Sequence, residues 1–377
     1  MVLRFSVVVV VAASSLTHIV AFAGERVDPA QAEVEDSSDI LWYDVQSIGI
    51  EGQAWSDTKA KFDRLPAKAE GVVRSPVWGL SHHSAGMAAR FKTDATTIQA
   101  RWSLTSSSLA MPHMPATGVS GLDLYVKTEA GNWRWLANGR PTKFPENRVM
   151  LAQGIPAGDR EYMLYLPLYN GVTSVEVGVA KSNYIERQPR PEAVKPIVFY
   201  GTSITQGGCA SRPGMVHTAI LGRRLDRAVI NLGFSGNGKM EQEVADLLAE
   251  LDVDVFVIDC LPNMNAAEVA ARTEPLVRTL RKAHPTTPML LVEDRSYSDS
   301  FLVSSKRQRN ESSRKAFLAA YDRLTADGIT GLTYLEGKHL LGDDGDATVD
   351  SSHPTDLGFV RMADAFEPVL RKMLPGE

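Results

Sequence analysis

The chain has 377 residues, 44% of them hydrophobic and 23% charged, with a formal net charge of −5. That balance excludes a disordered or fibrous chain, and the length suits roughly two domains. The slight acidity and scattered Lys and Arg argue against a nucleic-acid or anionic-membrane partner.

The first predicted element is a processing signal. Arg4 supplies a positive n-region, Phe5 to Ala13 is almost wholly apolar, and "AFA" at Ala21–Ala23 fits the small-x-small rule for cleavage. Ser14, Ser15, Thr17 and His18 break the apolar run well short of a membrane span. No cysteine follows to carry a lipid. The expectation is a signal peptide over 1–23 cleaved after Ala23, a secreted or periplasmic protein, and no stable membrane anchor. Residues 24–39 read as a polar, flexible lead-in.

Residues 40–185 have a β texture. Runs such as "TTIQARWSL", "GLDLYVK", "GNWRWLAN", "EYMLYLPLY" and "SVEVGVA" are bounded by Gly, Pro, Asn and Ser. Val175, Val177 and Val179 alternate onto one strand face, and Asn170-Gly171 reads as a hairpin turn. A β-sandwich or jelly roll is expected. Trp133 and Trp135 share one strand face; core packing is the default, and a sugar-stacking platform is the alternative.

Residues 186–195, in "ERQPRPEAVKP", form a proline-rich linker. Over 196–377 the texture alternates strand and helix. The strand-like runs are "PIVFYG", "RAVINLG", "DVFVID", "PMLLVE" and "GLTYLE", separated by amphipathic stretches, and a last helix begins at Asp356. Five apolar strands alternating with helices predict an α/β domain with a five-stranded parallel, doubly wound sheet. The basic run Ser304–Lys315 reads as a solvated helix face.

In such a sheet the reactive groups gather at the carboxyl ends of the strands. Ser203 follows the first strand, Gly236 the second and Asn263 the third; Glu293 and Arg295 end the fourth, and Asp350 and His353 precede the final helix. A serine nucleophile needs a base and a third group to orient that base. Asp350 and His353, three apart and ahead of Pro354, allow one loop to present both. The oxyanion needs fixed donors, for which the N–H groups of Ser203 and Gly236 and the Asn263 amide are candidates. Each residue also has a plainer role: a helix cap for Ser203 or Asn263, a positive φ for Gly236, a surface position for His353. Their coincidence at four strand exits favours chemistry.

Thr202, Arg212, Glu293 and Arg295 are candidate substrate contacts, with a turn cap for Arg212 and an internal ion pair for Glu293 and Arg295 as alternatives. Cys209 and Cys260, near adjacent strand ends in an exported chain, are a candidate disulfide or two small buried thiols. His82-His83 lacks a third ligand at metal-site spacing and reads as polar surface or as a loop over the site. "GDDGDATVD" departs from the calcium-loop register and reads as a surface turn. No metal or cofactor is called for.

"GTSITQG", "FSGNG", "LPNMN" and "DSSHPTDLGF" resemble the four blocks of the SGNH (GDSL-like) hydrolases. The resemblance implies a flavodoxin-like fold, with Ser203 as nucleophile, His353 as base, Asp350 as its partner, and Ser203, Gly236 and Asn263 as oxyanion donors. Thr202 stands where the family has aspartate, and "PNM" replaces Gly-x-Asn-Asp. "GLDLY", with "RLPAKAE" and "LSHHSAG" before it, resembles the GxDLY domain that precedes such hydrolases. The expected activity is a secreted serine esterase on small-molecule or polysaccharide O-acyl esters. Export, an accessory β domain and the absence of a long apolar lid favour O-acetylated carbohydrate. A lipid or short-chain ester acylhydrolase and a catalytically silent glycan-binding protein are the alternatives.

Overall fold

The computed structural model describes residues 24–35 and 38–375, so the expected signal peptide lies outside the described residues. Two antiparallel sheets fill the first half. One orders its strands Glu33–Val34, Ile40–Asp44, Val172–Ala180, Thr97–Leu104 and Glu146–Gln153. The other runs Glu186–Arg187, Ala88–Thr93, Arg160–Tyr165, Leu122–Lys127 and Trp133–Gly139, with Ile50–Glu51 also pairing to Ala88–Thr93. Strict alternation builds the core between them: Ile98, Ala100, Trp102 and Leu104 from one strand and Val175, Val177 and Val179 from another are buried together.

Asn170-Gly171 is not a hairpin turn. The strands before and after it, Arg160–Tyr165 and Val172–Ala180, belong to different sheets, so it is a crossover between layers. Its geometry is held by a buried carboxamide. Asn170 donates to the Ser106 carbonyl and the Ser120 hydroxyl and accepts from the Ser106 amide.

Between Ile50–Glu51 and Ala88–Thr93 the chain leaves the sandwich. This excursion includes the short helix Ser75–Ser81, and Leu65, Ala69, Val73 and Val77 bury themselves in the core of the second half. The β texture expected throughout 40–185 therefore has a non-β insert whose apolar face belongs to the other domain.

The second half is a five-stranded parallel sheet: β1 (Ile197–Gly201), β2 (Val229–Gly233), β3 (Val255–Asp259), β4 (Met289–Val292) and β5 (Leu332–Leu335). The order β2-β1-β3-β4-β5 is that of a flavodoxin-like fold. Its helices are α1 (Ser203–Gln206), α2 (His217–Arg224), α3 (Gln242–Leu248), α4 (Ala266–Ala283), α5 (Ser304–Ala326) and α6 (Asp356–Met373). Residues of β1 alternate between layers. Ile197 and Phe199 pack with α2 and α6; Val198 and Tyr200 pack with α3, α4 and α5. The α2/α6 layer also takes in Tyr125, Met163, Tyr165 and Leu168, so the two halves share one core.

That division settles the cysteines. Cys209 lies in the layer shared with the β-sandwich and Cys260 in the opposite one; of the two alternatives, both are buried free thiols rather than a disulfide.

His217 sits at the centre of the α2/α6 layer. Its ring stacks on Phe359 (centroids 5.7 Å apart, planes 4° apart) and meets Phe199 and Phe366, and neither ring nitrogen has a hydrogen-bond partner among the described residues. Burial, then the Arg295 charge, pushes its pKa well below the ordinary value. An unfolded histidine takes up a proton near pH 6.5 while this one stays neutral, so stability is lost as pH falls below that value. His217→Phe is expected to raise stability at pH 5 by about 2 kcal/mol more than at pH 8. Urea midpoints at the two pH values measure this; an equal change at both counts against it.

Candidate active site

Strand β1 ends under a tight turn. Thr202 caps α1, its hydroxyl accepting from the Ile204 amide at 3.2 Å, and Ser203 is the first helical residue. The helix-cap role thus falls to Thr202, leaving the Ser203 hydroxyl free for another partner. That partner is His353: Ser203 Oγ lies 2.8 Å from His353 Nε2. His353 Nδ1 in turn lies 2.7 Å from Asp350 Oδ2.

One loop presents both partners. Asp350 Oδ1 accepts from the amides of Ser352 (3.1 Å) and His353 (2.8 Å), closing a turn in which Ser351 has φ 73°. The loop is pinned from outside. The Cys209 amide donates to the Pro354 carbonyl, the Ser298 amide to the Ser351 carbonyl, and Lys306 to the Ser351 hydroxyl. Partial burial raises the Asp350 carboxyl, but hydrogen bonds from the His353 amide and ring outweigh it and hold it below the ordinary value. The carboxylate thus stays charged beside the imidazole.

The loop after β2 lies against the end of β1. The Phe234 amide donates to the Gly201 carbonyl at 3.0 Å. Gly238 approaches so closely that a Cβ there would stand 1.8 Å from the Gly201 oxygen, and Gly236 adopts φ +69°. Asn263 follows β3 and clamps this loop, its amide oxygen accepting from Asn237 (3.0 Å) and Gly238 (3.2 Å). In that orientation the Asn263 NH2 is directed away from those two amides. The cap of α4 is Asn265, in a capping box with Glu268, so Asn263 is not needed there.

The four candidate substrate contacts face inward. Thr202 is fully buried as a cap. Glu293 accepts from the Tyr334 hydroxyl and the Gly337 amide and pairs with Arg314. Arg295, 2% exposed, pairs with fully buried Asp259. Arg212 pairs with Asp123 at 2.8 Å and donates to the Tyr125 hydroxyl. Asp123 and Tyr125 are the polar residues of "GLDLY", and Asp123 also accepts from the Gly214 amide and the Trp135 indole. The motif is a clasp between the two halves. It occupies the Trp135 indole N–H, while Arg212 covers the ring at 5.1 Å.

His82 bonds to Asp63, and His83 to Gln206 on α1. "LSHHSAG" therefore contacts the nucleophile turn itself. Its neighbour in sequence, "RLPAKAE", contributes Arg64. This fully buried arginine donates to four carbonyls, those of Leu80, His83, Asn231 and Gly233. Burial lowers its pKa to about 9, which keeps it cationic at neutral pH. His113, from the β-sandwich, meets the His353 ring edge-on at 5.9 Å. His113, Asp350 and His353 are near enough to share a cation, but both His353 nitrogens are already committed to Ser203 and Asp350. Arg64 lies within "RLPAKAE", whereas His113 and Tyr169, whose hydroxyl donates to the Ser203 carbonyl, carried no sequence signal.

Residues 194–371 match the GDSL-like lipase/acylhydrolase family, and residues 40–185 match the GxDLY family, the N-terminus of SGNH-hydrolase-type esterases. No curated protein matches the chain. Among solved structures, a GDSL-like protein from Bacteroides ovatus is similar with a TM-score of 0.84 and 34% identity, covering 89% of this chain and 98% of that one. A salicylyl-acyltransferase from a tetracycline biosynthetic pathway shares the fold (TM-score 0.66, 19% identity, 95% and 100% coverage). So does a family two carbohydrate esterase from Clostridium thermocellum, solved with cellohexaose (0.55, 15%, 76% and 92%). The first of these structures and both family models agree, and the chain belongs to the GDSL-like lipase/acylhydrolase (SGNH) family of ester hydrolases.

Proposed function

We propose that the protein is a secreted serine esterase that removes O-acyl groups, chiefly acetyl, from carbohydrate. The observation that carries the chemistry is the unbroken chain from Ser203 Oγ through His353 to Asp350. His353 Nε2 takes the serine proton as Oγ attacks the ester carbonyl. Asp350 holds the tautomer with its proton on Nδ1 and stabilises the imidazolium. The N–H groups of Ser203 and Gly236 and the Asn263 NH2 receive the oxyanion. His353 then protonates the leaving alkoxide, and the acyl group remains on Ser203. Water, deprotonated by His353, repeats the sequence and frees the acid.

The preference for carbohydrate is supported by the sequence reading of an exported chain and by the fold shared with an esterase solved with cellohexaose. A second reading, an acylhydrolase for longer or lipid acyl chains, is favoured by Phe301 and Leu302. These are 80% and 77% exposed on the loop that bonds to Ser351. Acetyl and octanoyl p-nitrophenyl esters separate the two, beside acetate release from acetylated polysaccharides. The expected outcome is kcat/KM at least about 10-fold higher for acetyl, with acetate released from at least one polysaccharide. Faster octanoyl turnover, with no polysaccharide deacetylated, would favour the lipid reading.

A further inference from the structure

The β-sandwich half reaches the oxyanion side of the site through one side chain of α1. Gln206, the last residue of α1, is fully buried. Its Oε1 accepts from the Ser235 amide at 3.0 Å, immediately before Gly236. Its Nε2 has two acceptors, both outside the α/β half: the Leu168 carbonyl at 3.1 Å and His83 Nδ1 at 2.9 Å.

We propose that His83 is a positioning residue for the oxyanion hole, acting through Gln206 on the Ser235–Gly236 turn. This rests on the serine-esterase reading. A carboxamide presents an acceptor on one side and two donors on the other, and only one orientation satisfies Ser235. With His83 Nδ1 accepting, the NH2 is anchored on the β-sandwich side, and Oε1 is left to take the Ser235 N–H. A donor at that Nδ1 would face the NH2 and drive the amide to turn over. The NH2 would then oppose the Ser235 N–H and push away the turn that carries Gly236.

Two further contacts hold the arrangement. Arg64 donates to the His83 carbonyl at 2.9 Å, fixing the histidine's backbone. The Tyr169 hydroxyl donates to the Ser203 carbonyl at 2.9 Å, and its ring lies 6.1 Å from that of His83. Burial, then the Arg64 and His82 charges, lowers the His83 pKa to about 3. The ring therefore stays neutral, with Nδ1 as acceptor, throughout the range in which a serine esterase works. The β-sandwich half thus braces both backbone donors, Ser203 through Tyr169 and Gly236 through His83 and Gln206.

The test compares His83→Leu, which removes the acceptor, with His83→Asn, whose Oδ1 can stand in for Nδ1. Each is assayed with p-nitrophenyl acetate, with phenylboronic acid as a probe of the tetrahedral state, and by thermal melting. Displacing a donor costs less than the roughly 10²–10³-fold of deleting one. His83→Leu is expected to lower kcat about 10-fold and weaken phenylboronic acid by a similar factor, with KM within about twofold. His83→Asn is expected to recover most of both. Unchanged kcat and boronate affinity in His83→Leu would overturn the proposal. So would equal impairment in both variants, or losses that follow the melting temperature alone. A wild type inert toward the ester, or a Ser203→Ala variant equally active, would sink the esterase reading itself and this inference with it.

Discussion

Ser203→Ala is expected to lower kcat for p-nitrophenyl acetate by about 10⁴- to 10⁶-fold, with the melting temperature held within about 3 °C. The two halves of that result come from one geometry. Among the described residues the Ser203 hydroxyl has a single hydrogen-bond partner, His353 Nε2, so its removal takes away the attacking atom and one neutral hydrogen bond. A bond of that kind contributes about 1 kcal/mol to stability, whereas the nucleophile has no substitute. His353→Ala should cost about as much, and the double variant little more, because the pair works as a unit. Asp350→Asn is the sharper probe of the third member. The new side chain can keep its oxygen on the Ser352 and His353 amides, which preserves the turn. Its NH2 then faces His353 Nδ1 and imposes the wrong tautomer, at a cost near 10⁴-fold in kcat. Steady-state kinetics on protein free of contaminating esterase decide the matter. More than about 1% residual activity in Ser203→Ala would remove Ser203 from the chemistry.

The α/β half was largely legible because its signals are local. Each of β1 to β4 is a short apolar run buried on both faces, and each exits into a Gly, Asn or Asp turn. Asp350 and His353 are three residues apart, so one loop brings them together whatever the rest of the chain does. Legibility fails where a residue's meaning depends on a distant partner. Asn170-Gly171 has the composition of a hairpin turn, but Ser106 and Ser120, some 50 to 65 residues away, hold it as a crossover. Cys209 and Cys260 follow neighbouring strands, yet the alternation of layers puts them on opposite sides of the sheet. Arg64 reads as one more charged residue in a polar stretch, and only the folded chain brings it to the end of β2. The insert carrying it has no strand period and a short helix, so its apolar face showed no clear repeat.

Arg295 takes the internal ion-pair role that stood beside substrate contact as its sequence reading, and that role predicts the second large effect. Arg295→Met is expected to destabilise the protein by about 3–5 kcal/mol, lowering the melting temperature on the order of 10 °C. Its guanidinium lies 2.7 and 2.9 Å from the two oxygens of Asp259, the last residue of β3, where both side chains are closed to solvent. Thr205 of α1 donates to the same carboxylate at 3.3 Å, so the pair lies under the nucleophile turn. Removing the cation leaves a buried carboxylate uncompensated, and that penalty exceeds the net worth of the pair. Asp259→Leu combined with Arg295→Met should therefore recover most of the loss. The pH dependence has a definite sign. Burial raises the Asp259 carboxyl, and Arg295 opposes that rise. Without Arg295 the carboxyl climbs further, the folded state holds a proton that the unfolded state releases near pH 4, and stability falls as pH rises. The deficit against wild type should thus be larger at pH 8 than at pH 5. A residue that gripped substrate would behave otherwise: Arg295→Met would raise KM, leave melting untouched, and gain nothing from the second substitution.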